Sequence, residues 1–195
     1  MGKFQPWAEP WWVNLLIFIP VIVFLLGHGK PLLLTRRRLL MIGIFAAAFG
    51  FVEAAVVVYL RAAVGLLPGY MGTLSDLQHA SETYQQAKSI SQFPQSLLAI
   101  ETYREAATLV MLVSFALLAA PKARERWAAF FWAFAIWDIT YYAGLWVTVR
   151  WPASLNDLDV LFLIPVPWVA QVWFPVLVSG LTLVTISLLV GRSSG

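Results

Sequence analysis

Between Arg38 and Arg61 the sequence reads LLMIGIFAAAFGFVEAAVVVYL, an apolar run interrupted by a single charged residue, Glu53. A run of this length can cross a bilayer as a helix, because roughly 20 apolar residues span the hydrocarbon core. A charged carboxylate at the centre of such a helix costs about 2.5–3.5 kcal/mol even on the permissive insertion scale. The stretch therefore predicts a helical membrane protein and indicates where a polar site has to be sought.

The composition of the whole chain supports the same class of protein. Of the 195 residues, 61% are hydrophobic and only 12% are charged, whereas a soluble domain carries about 25% charged residues. The net charge of +3 does not indicate nucleic-acid binding, because the basic residues lie in short loops rather than on one face. The chain has no cysteine and two histidines, so we expect no haem, iron–sulfur or thiolate metal site.

Five apolar segments are long enough to span a membrane. The predicted fold is therefore an all-α bundle of five transmembrane helices, forming one membrane domain over residues 1–195. The first segment lacks a basic region before it and a small-residue cleavage site after it, which favours a retained helix over a signal peptide. The predicted spans are about 11–28, 38–62, 96–120, 127–149 and 168–190.

The distribution of positive charge favours an N-terminus outside and a C-terminus inside. In that orientation eight cations lie on the inner side and four on the outer side, while Arg104 lies within the membrane. The inner cations are Lys30, Arg36, Arg37, Arg38, Lys122, Arg124, Arg126 and Arg192, and the outer ones are Lys3, Arg61, Lys88 and Arg150.

The outer loop over residues 65–95 is polar. Thr73 followed by Asp76 is typical of a helix N-terminal capping pair. Apolar residues then recur at helical spacing, which predicts a surface helix over about 74–89. A helix lying at the outer membrane surface is the plain interpretation, and a lid over a site is the alternative.

The second outer loop contains the apolar segment LFLIPVPW over residues 161–168. Its two prolines each remove a backbone donor, so the segment cannot continue a regular helix. Irregular backbone at membrane depth is tolerated only against protein or a water-filled cavity. We expect a Pro-broken segment that packs on the outer end of the bundle, with Asp157 and Asp159 before it capping the next segment.

Four acidic residues lie within the predicted spans: Glu53, Glu101, Glu105 and Asp138. At a rise of roughly 1.5 Å per residue, Glu53 lies about 22 Å and Asp138 about 17 Å above the inner side. On the same scale Glu101 and Glu105 lie roughly 7–14 Å below the outer side. All four therefore fall in the middle to outer half of a core about 30 Å thick, which predicts one site that opens outward.

Helical spacing adds three further residues to this predicted site. Arg104 lies on the same helical face as Glu101 and Glu105, and Tyr141 and Tyr142 follow Asp138 at the spacing of one turn. We predict that the site binds a cation, a proton or a small polar ligand, for transport or for a membrane-embedded reaction. Its predicted residues are Glu53, Glu101, Arg104, Glu105, Asp138, Tyr141 and Tyr142.

A metal is a further possibility that the sequence leaves open. A carboxylate-bridged di-iron centre needs Glu-x-x-His motifs, and no histidine follows any of the glutamates at that spacing. An oxygen-only site for Mg²⁺, Ca²⁺ or Mn²⁺ is chemically compatible with carboxylates, although Arg104 would oppose it. The ligands would be Glu53, Glu101, Glu105 and Asp138.

The alternative function is that of a structural or accessory subunit of a larger membrane complex. In that case the polar residues are buried ion pairs that fix how the helices pack, since such pairs specify one packing without adding net stability. Expected partners are the lipid bilayer and either further copies of the chain or other subunits of a membrane complex. Nucleic acid is not an expected partner.

Four segments resemble a group of small bacterial multi-pass membrane proteins without an assigned function. The resemblance covers the chain from the second predicted span onward, and it implies a protein of the bacterial inner membrane. It implies no activity, cofactor or site residue. The segments are VEAAVVVYLR at 52–61, REAATLVML at 104–112, WDITYY at 137–142 and LFLIPVPW at 161–168.

Overall fold

A computed structural model describes residues 4–28, 32–63, 65, 67, 70–79 and 94–191. This part of the chain is mostly helical, with one small two-stranded sheet. A 3₁₀ segment, Trp11–Phe18, precedes the first α-helix. The elements are α1 (Ile19–Gly27), α2 (Arg36–Ala63), α3 (Leu74–His79), α4 (Gln95–Ala119), α5 (Ala123–Val149), β1 (Leu158–Phe162), β2 (Trp168–Gln171) and α6 (Trp173–Gly191).

Three helices of the described chain are long and apolar enough to cross a membrane: α2, α4 and α6 over Trp173–Val190. They support the prediction of a membrane protein. The predicted fourth span forms the long helix α5, whose Trp and Tyr residues lower its mean hydropathy. The predicted first span forms a 3₁₀ segment followed by a short α-helix. Its apolar helical stretch, Trp11–Leu25, is shorter than the three candidate spans. The number of passes and their orientation therefore stay predictions.

The closest helix packing joins α2 to α5. Gly50 of α2 lies against the backbone carbonyl of Trp137, where a side chain would collide with it. A Cβ added to Gly144 of α5 would lie 2.8 Å from the Cβ of Ala54. Small residues at such crossings let two backbones approach closely, as is common between membrane helices. We call this contact between α2 and α5 the seam. Because Glu53 lies between the two crossings on α2, the seam also fixes its position.

The helix α4 packs against α5 but meets α2 mainly through long side chains. Phe45 of α2 and Phe115 of α4 stack with their ring centroids 4.1 Å apart. On the other side of the bundle, α6 packs against both α5 and α1. The wider separation of α2 and α4 leaves room between the helices for polar side chains.

The Pro-broken segment forms the turn of an antiparallel ribbon between α5 and α6. Pro165 and Pro167 lie between the two strands, where their missing N–H groups interrupt no ladder. The prediction that this segment is not helical is confirmed, while the all-α prediction was wrong about the small sheet. The last helix begins at Trp173 rather than at 168, because residues 168–171 pair with β1.

The register of the ribbon places Leu158 opposite Gln171 and Val160 opposite Val169. The chain near the N-terminus extends the ribbon, because Glu9 exchanges two backbone hydrogen bonds with Val169, at 2.8 and 2.7 Å. These contacts hold the ribbon at the end of the bundle where α2 and α5 finish and α4 and α6 begin.

The predicted capping pair is present at the start of α3. The backbone N–H of Asp76 donates to the hydroxyl of Thr73 at 3.2 Å, and the Asp76 carboxylate accepts the Thr73 N–H at 3.0 Å. The rest of the predicted surface helix, residues 80–89, lies outside the described residues. The same is true of four cations used in the orientation argument: Lys3, Lys30, Lys88 and Arg192.

Candidate ligand-binding cavity

A cavity of about 350 Å³ lies between α2, α4, α5, α6 and β1. All seven residues predicted to form a site line it, so the structure brings together side chains from three helices. The seven are Glu53, Glu101, Arg104, Glu105, Asp138, Tyr141 and Tyr142.

Four side chains, which we call the paired group, join α2 to α4: Glu53, Glu101, Arg104 and Thr108. The Nη1 of Arg104 forms an ion pair with the buried Glu53. The Nε and Nη2 of the same guanidinium donate to Oε2 of Glu101 at 2.9 and 2.7 Å. Thr108 donates its hydroxyl to the other oxygen of Glu53. One cation thus bridges two carboxylates, as the alternative function, in which buried ion pairs fix the helix packing, requires.

Two more carboxylates are held across α5, α6 and the ribbon by hydroxyl donors. Ser179 of α6 donates to Oδ2 of Asp138 at 2.7 Å. The phenol of Tyr142 donates to Oδ2 of Asp159 in β1 at 2.8 Å. Both contacts bridge elements that are far apart in sequence, so they also hold the helix α6 and the ribbon against α5.

A fifth carboxylate, Glu105, faces the cavity one residue after Arg104. Its Oε2 accepts the backbone N–H of Leu163 at 2.7 Å, which ties α4 to the turn of the ribbon. Glu105, Asp138 and Asp159 have one property in common: every hydrogen-bond donor described for them is uncharged. With their hydroxyl partners we call them the acid group: Glu105, Asp138, Tyr142, Asp159 and Ser179.

Asp159 belongs to this group although the sequence predicted a capping role for it. The residue is 1% exposed and lies in β1. Its neighbour Asp157 does cap, but the segment before it, because its Oδ2 accepts the N–H groups of Ala153 and Ser154 at 2.8 and 3.1 Å. The two aspartates of the Asp-x-Asp sequence therefore have different roles.

Burial raises the pKa of Asp159 to about 7. Hydrogen bonds from the Tyr142 phenol and from the backbone N–H of Val160 lower this pKa, and the charge of Asp138 raises it further. The positive charge of Arg61 also lowers the pKa of Asp159. Because burial is the largest of these effects, the side chain takes up a proton close to neutral pH.

Besides Asp159 and Thr108, three polar residues that line the cavity were not predicted as site residues. Arg61 was counted as a charge of the outer loop, but it is 4% exposed and lines the cavity. Without Arg61, the orientation argument compares eight inner cations with three outer ones, and it favours the same orientation. Ser179 and Thr182 also line the cavity. Their spacing of three residues on a helix without charged side chains was a signal that could have identified them.

An aromatic cluster forms the remaining wall of the cavity. The ring of Phe162 lies 6.1 Å from Phe134, 6.4 Å from Trp137 and 5.3 Å from Trp168, between centroids. Tyr141 stacks on Trp137 at 6.3 Å. The indole N–H groups of Trp137 and Trp168 are buried and have no hydrogen-bond partner among the described residues. Buried donors are nearly always satisfied in folded proteins, so these two call for an acceptor inside the cavity.

Carboxylates outnumber guanidinium groups around the cavity. Five carboxylates and two guanidinium groups line it: Glu53, Glu101, Glu105, Asp138 and Asp159 against Arg61 and Arg104. A positively charged occupant is therefore favoured over an anion by simple Coulomb attraction.

The four carboxylates considered as metal ligands do not converge on one point. Glu53 and Glu101 are both bound by Arg104, whereas Glu105 and Asp138 are engaged at different elements. Among the described residues, no group of three or more acidic or histidine side chains is arranged to hold a metal ion. The donor set fits hydrogen-bonded ligands better than a metal cage.

Comparison of the chain with family models, with curated proteins and with solved structures finds no match. The function therefore has to be inferred from the chemistry of the cavity.

Proposed function

We propose that this chain is a multi-pass protein of the bacterial inner membrane whose cavity binds a cation, a proton or a small polar ligand. The observation that carries this proposal is the acid group. Its carboxylates, Glu105, Asp138 and Asp159, are held by uncharged donors, so much of their negative charge is left for an occupant. Intramembrane ionisable residues of this kind mark ion or substrate sites more often than not.

The proposed topology has five passes, with the N-terminus outside. At roughly 1.5 Å per residue, the 27 residues of α5 extend about 40 Å, which exceeds the thickness of the hydrocarbon core. Lys122, Arg124 and Arg126 lie at its start, on the proposed inner side. The apolar stretch before α2 supplies the first pass.

In this topology the cavity lies towards the outer half of the membrane. Its lining includes Leu98 near the start of α4 and Ile164 in the ribbon turn, both at the end that we assign to the outside. A ligand from that side would meet Glu101 and Glu105 first. The paired group would position α2 against α4, and the acid group would bind the ligand.

A second candidate function is that of a structural subunit, and the paired group favours it. Arg104 already pairs with both Glu53 and Glu101 within the chain, so each of these carboxylates has a charged partner without a ligand. Large apolar side chains such as Leu40 and Leu118 are 62% and 87% exposed, which suits contact with lipid or with another subunit. Under this function the acid group would serve only to hold the ribbon and α6.

The distinguishing experiment is ligand-dependent unfolding of the full chain in lipid nanodiscs. The probes are Na⁺, Ca²⁺, Mn²⁺, ammonium and small organic ammonium ions, all as chlorides at constant ionic strength. A probe at ten times its Kd stabilises a folded protein by about 1.4 kcal/mol, which gives a measurable rise of the melting temperature. We expect at least one of these cations to give a saturable rise.

The matched variants are Glu105→Gln in the cavity and Glu125→Gln outside it. Glu125 is 2% exposed and does not line the cavity, so it controls for the loss of a buried carboxylate. The rise should disappear in Glu105→Gln and persist in Glu125→Gln. No saturable response to any cation, together with a stoichiometric partner after purification in mild detergent, would favour the structural subunit instead.

A further inference from the structure

We infer that the ligand of the cavity is an organic ammonium ion with an apolar, ring-sized body. This inference rests on the proposed function and names the chemical class of the cation. It depends on three observations that the proposed function does not use: the volume of the cavity, its aromatic wall and its buried indole donors.

The volume separates an organic ligand from an inorganic one. A water molecule occupies about 30 Å³ of liquid, so a proton or a bare ion with one or two waters would fill a small part of the 350 Å³ cavity. Pockets for small organic molecules begin at roughly 300 Å³. The cavity therefore has the size of a site for a small organic molecule.

The aromatic wall gives such a ligand a place for its apolar body. Phe134, Trp137 and Trp168 surround Phe162, and all four line the cavity. Burying a body against these rings removes apolar surface from water, at about 25 cal/mol per Å². Aromatic faces also attract an ammonium group, by about 0.5–2 kcal/mol. An inorganic cation gains nothing from most of this wall.

The acid group supplies the counterpart for the positive charge. Glu105, Asp138 and Asp159 each keep a carboxylate beside the cavity with only uncharged donors described for it. An ammonium carries several N–H donors and no acceptor, so it complements carboxylate oxygens directly. A carboxylate or phosphate ligand would instead meet five carboxylates against two guanidinium groups.

The indole donors indicate that something polar occupies the cavity. Trp137 is 8% exposed, and its Nε1 has no partner among the described residues, as is also true of Trp168 Nε1. Because an ammonium group has no acceptor, a water that enters with the ligand would satisfy them. A wholly apolar occupant, such as a lipid chain, would leave both donors unsatisfied at about 1–3 kcal/mol each.

The test compares four probes on the unmodified full chain in nanodiscs, with empty nanodiscs as the control for partition into lipid. Phenethylammonium carries both charge and ring, phenethyl alcohol carries the ring without the charge, hydrocinnamate carries the opposite charge, and methylammonium carries the charge without the ring. Calorimetric titration should give phenethylammonium a Kd at least about tenfold lower than each of the other three, a factor that corresponds to 1.4 kcal/mol.

Two variants locate the binding in the cavity. Glu105→Gln should weaken phenethylammonium binding about tenfold or more, and Phe162→Leu should weaken it while leaving methylammonium binding unchanged. Glu125→Gln is the control for both. Because the comparison of probes uses the unmodified chain, it stays informative even if a variant fails to fold.

The outcomes separate this inference from the proposed function. If methylammonium or an inorganic cation binds as tightly as phenethylammonium, the organic ligand is wrong while the cation site stands. Equal binding of phenethyl alcohol, or tighter binding of hydrocinnamate, also overturns the inference. If neither a cation nor phenethyl alcohol binds the unmodified chain, the inference is wrong and the proposed function is reduced to a proton site.

Discussion

The paired group and the acid group line the same cavity with the same kind of side chain, yet they differ in how the negative charge is balanced. In the paired group Arg104 reaches Glu53 and Glu101 with three of its nitrogens. In the acid group the described donors are two hydroxyls and two backbone N–H groups. In the first arrangement both carboxylates have a charged partner within the chain, whereas in the second the described donors are all uncharged.

This difference indicates which residues serve the fold and which serve a ligand. Removing one partner of a buried ion pair leaves an uncompensated charge, which is strongly destabilising. Removing the charge from a carboxylate held by a hydroxyl leaves the hydrogen bond in place, because an amide oxygen accepts equally well. The paired group should therefore dominate stability, and the acid group should dominate binding.

The largest expected effect is that of Arg104→Met, which removes the cation of the paired group. We expect a loss of about 3–5 kcal/mol in the free energy of unfolding, because Glu53 would stay buried without its partner. Asp138→Asn is the matched change in the acid group and should cost less than about 1.5 kcal/mol, since Ser179 can still donate to the amide oxygen. Reversible unfolding in mixed micelles measures both.

The cost of Arg104→Met should shrink when Glu53→Gln is already present, because no charge is then left behind. A double-mutant cycle between the two positions gives this coupling directly. Equal costs in the two backgrounds, or a larger cost for Asp138→Asn than for Arg104→Met, would contradict the distinction between the groups.

The sequence predicted the paired group better than the acid group, and the reason is physical. Glu101 and Arg104 of the paired group share one helical face through local spacing, which the sequence displays directly. Glu53 was placed near them by depth alone, since its helix is a long apolar run whose ends are marked by arginines. Local periodicity and span length are properties of the chain that need no knowledge of the fold.

Asp159 and Arg61 could not be placed in this way. Their burial depends on how the ribbon folds back over the bundle, which is set by contacts between distant segments such as Glu9 with Val169. In the sequence both look like ordinary loop charges near a span end. The small sheet was missed for the same reason, because its pairing is a tertiary contact.

A smaller effect is expected from the seam that holds the two groups at their separation. Gly50→Ala places a methyl group against the carbonyl of Trp137, and overpacking of this kind costs about 1–3 kcal/mol. Gly180→Ala on α6 is the control, because a Cβ there meets nothing within 4 Å. It should be neutral or stabilising by up to about 1 kcal/mol through helix propensity.

The same pair of variants sharpens the comparison through ligand binding. If Gly50→Ala moves α2 away from α5, the ion pair of Arg104 should loosen before the acid group does, since Asp138 and Ser179 lie on α5 and α6. Binding of a cation should then survive a loss of stability. Indistinguishable unfolding free energies for Gly50→Ala and Gly180→Ala would show that the seam tolerates a methyl group.

The smallest effect is expected at pH 5 from Tyr142→Phe, which removes the phenol from Asp159. Because burial raises the pKa of Asp159 to about 7, the folded protein binds its proton more tightly than the unfolded chain does, in which the pKa is about 3.9. The contribution of Asp159 to the free energy of unfolding therefore decreases as the pH rises from about 4 to about 7. The phenol limits that fall, because it donates to the charged form.

The cost of Tyr142→Phe should consequently depend on pH. At pH 5, where Asp159 is protonated in the folded protein, we expect a loss of about 0.5–1.5 kcal/mol for one hydrogen bond. At pH 8 the loss should rise towards about 1.5–3 kcal/mol, the range for a hydrogen bond to a charged group. Tyr59→Phe on the exposed side of α2 is the control and should show no such dependence. A cost that is equal at the two pH values, or smaller at pH 8, would mean that Asp159 does not ionise beside Tyr142 in this range, and the acid group would then carry less negative charge than a cation site needs.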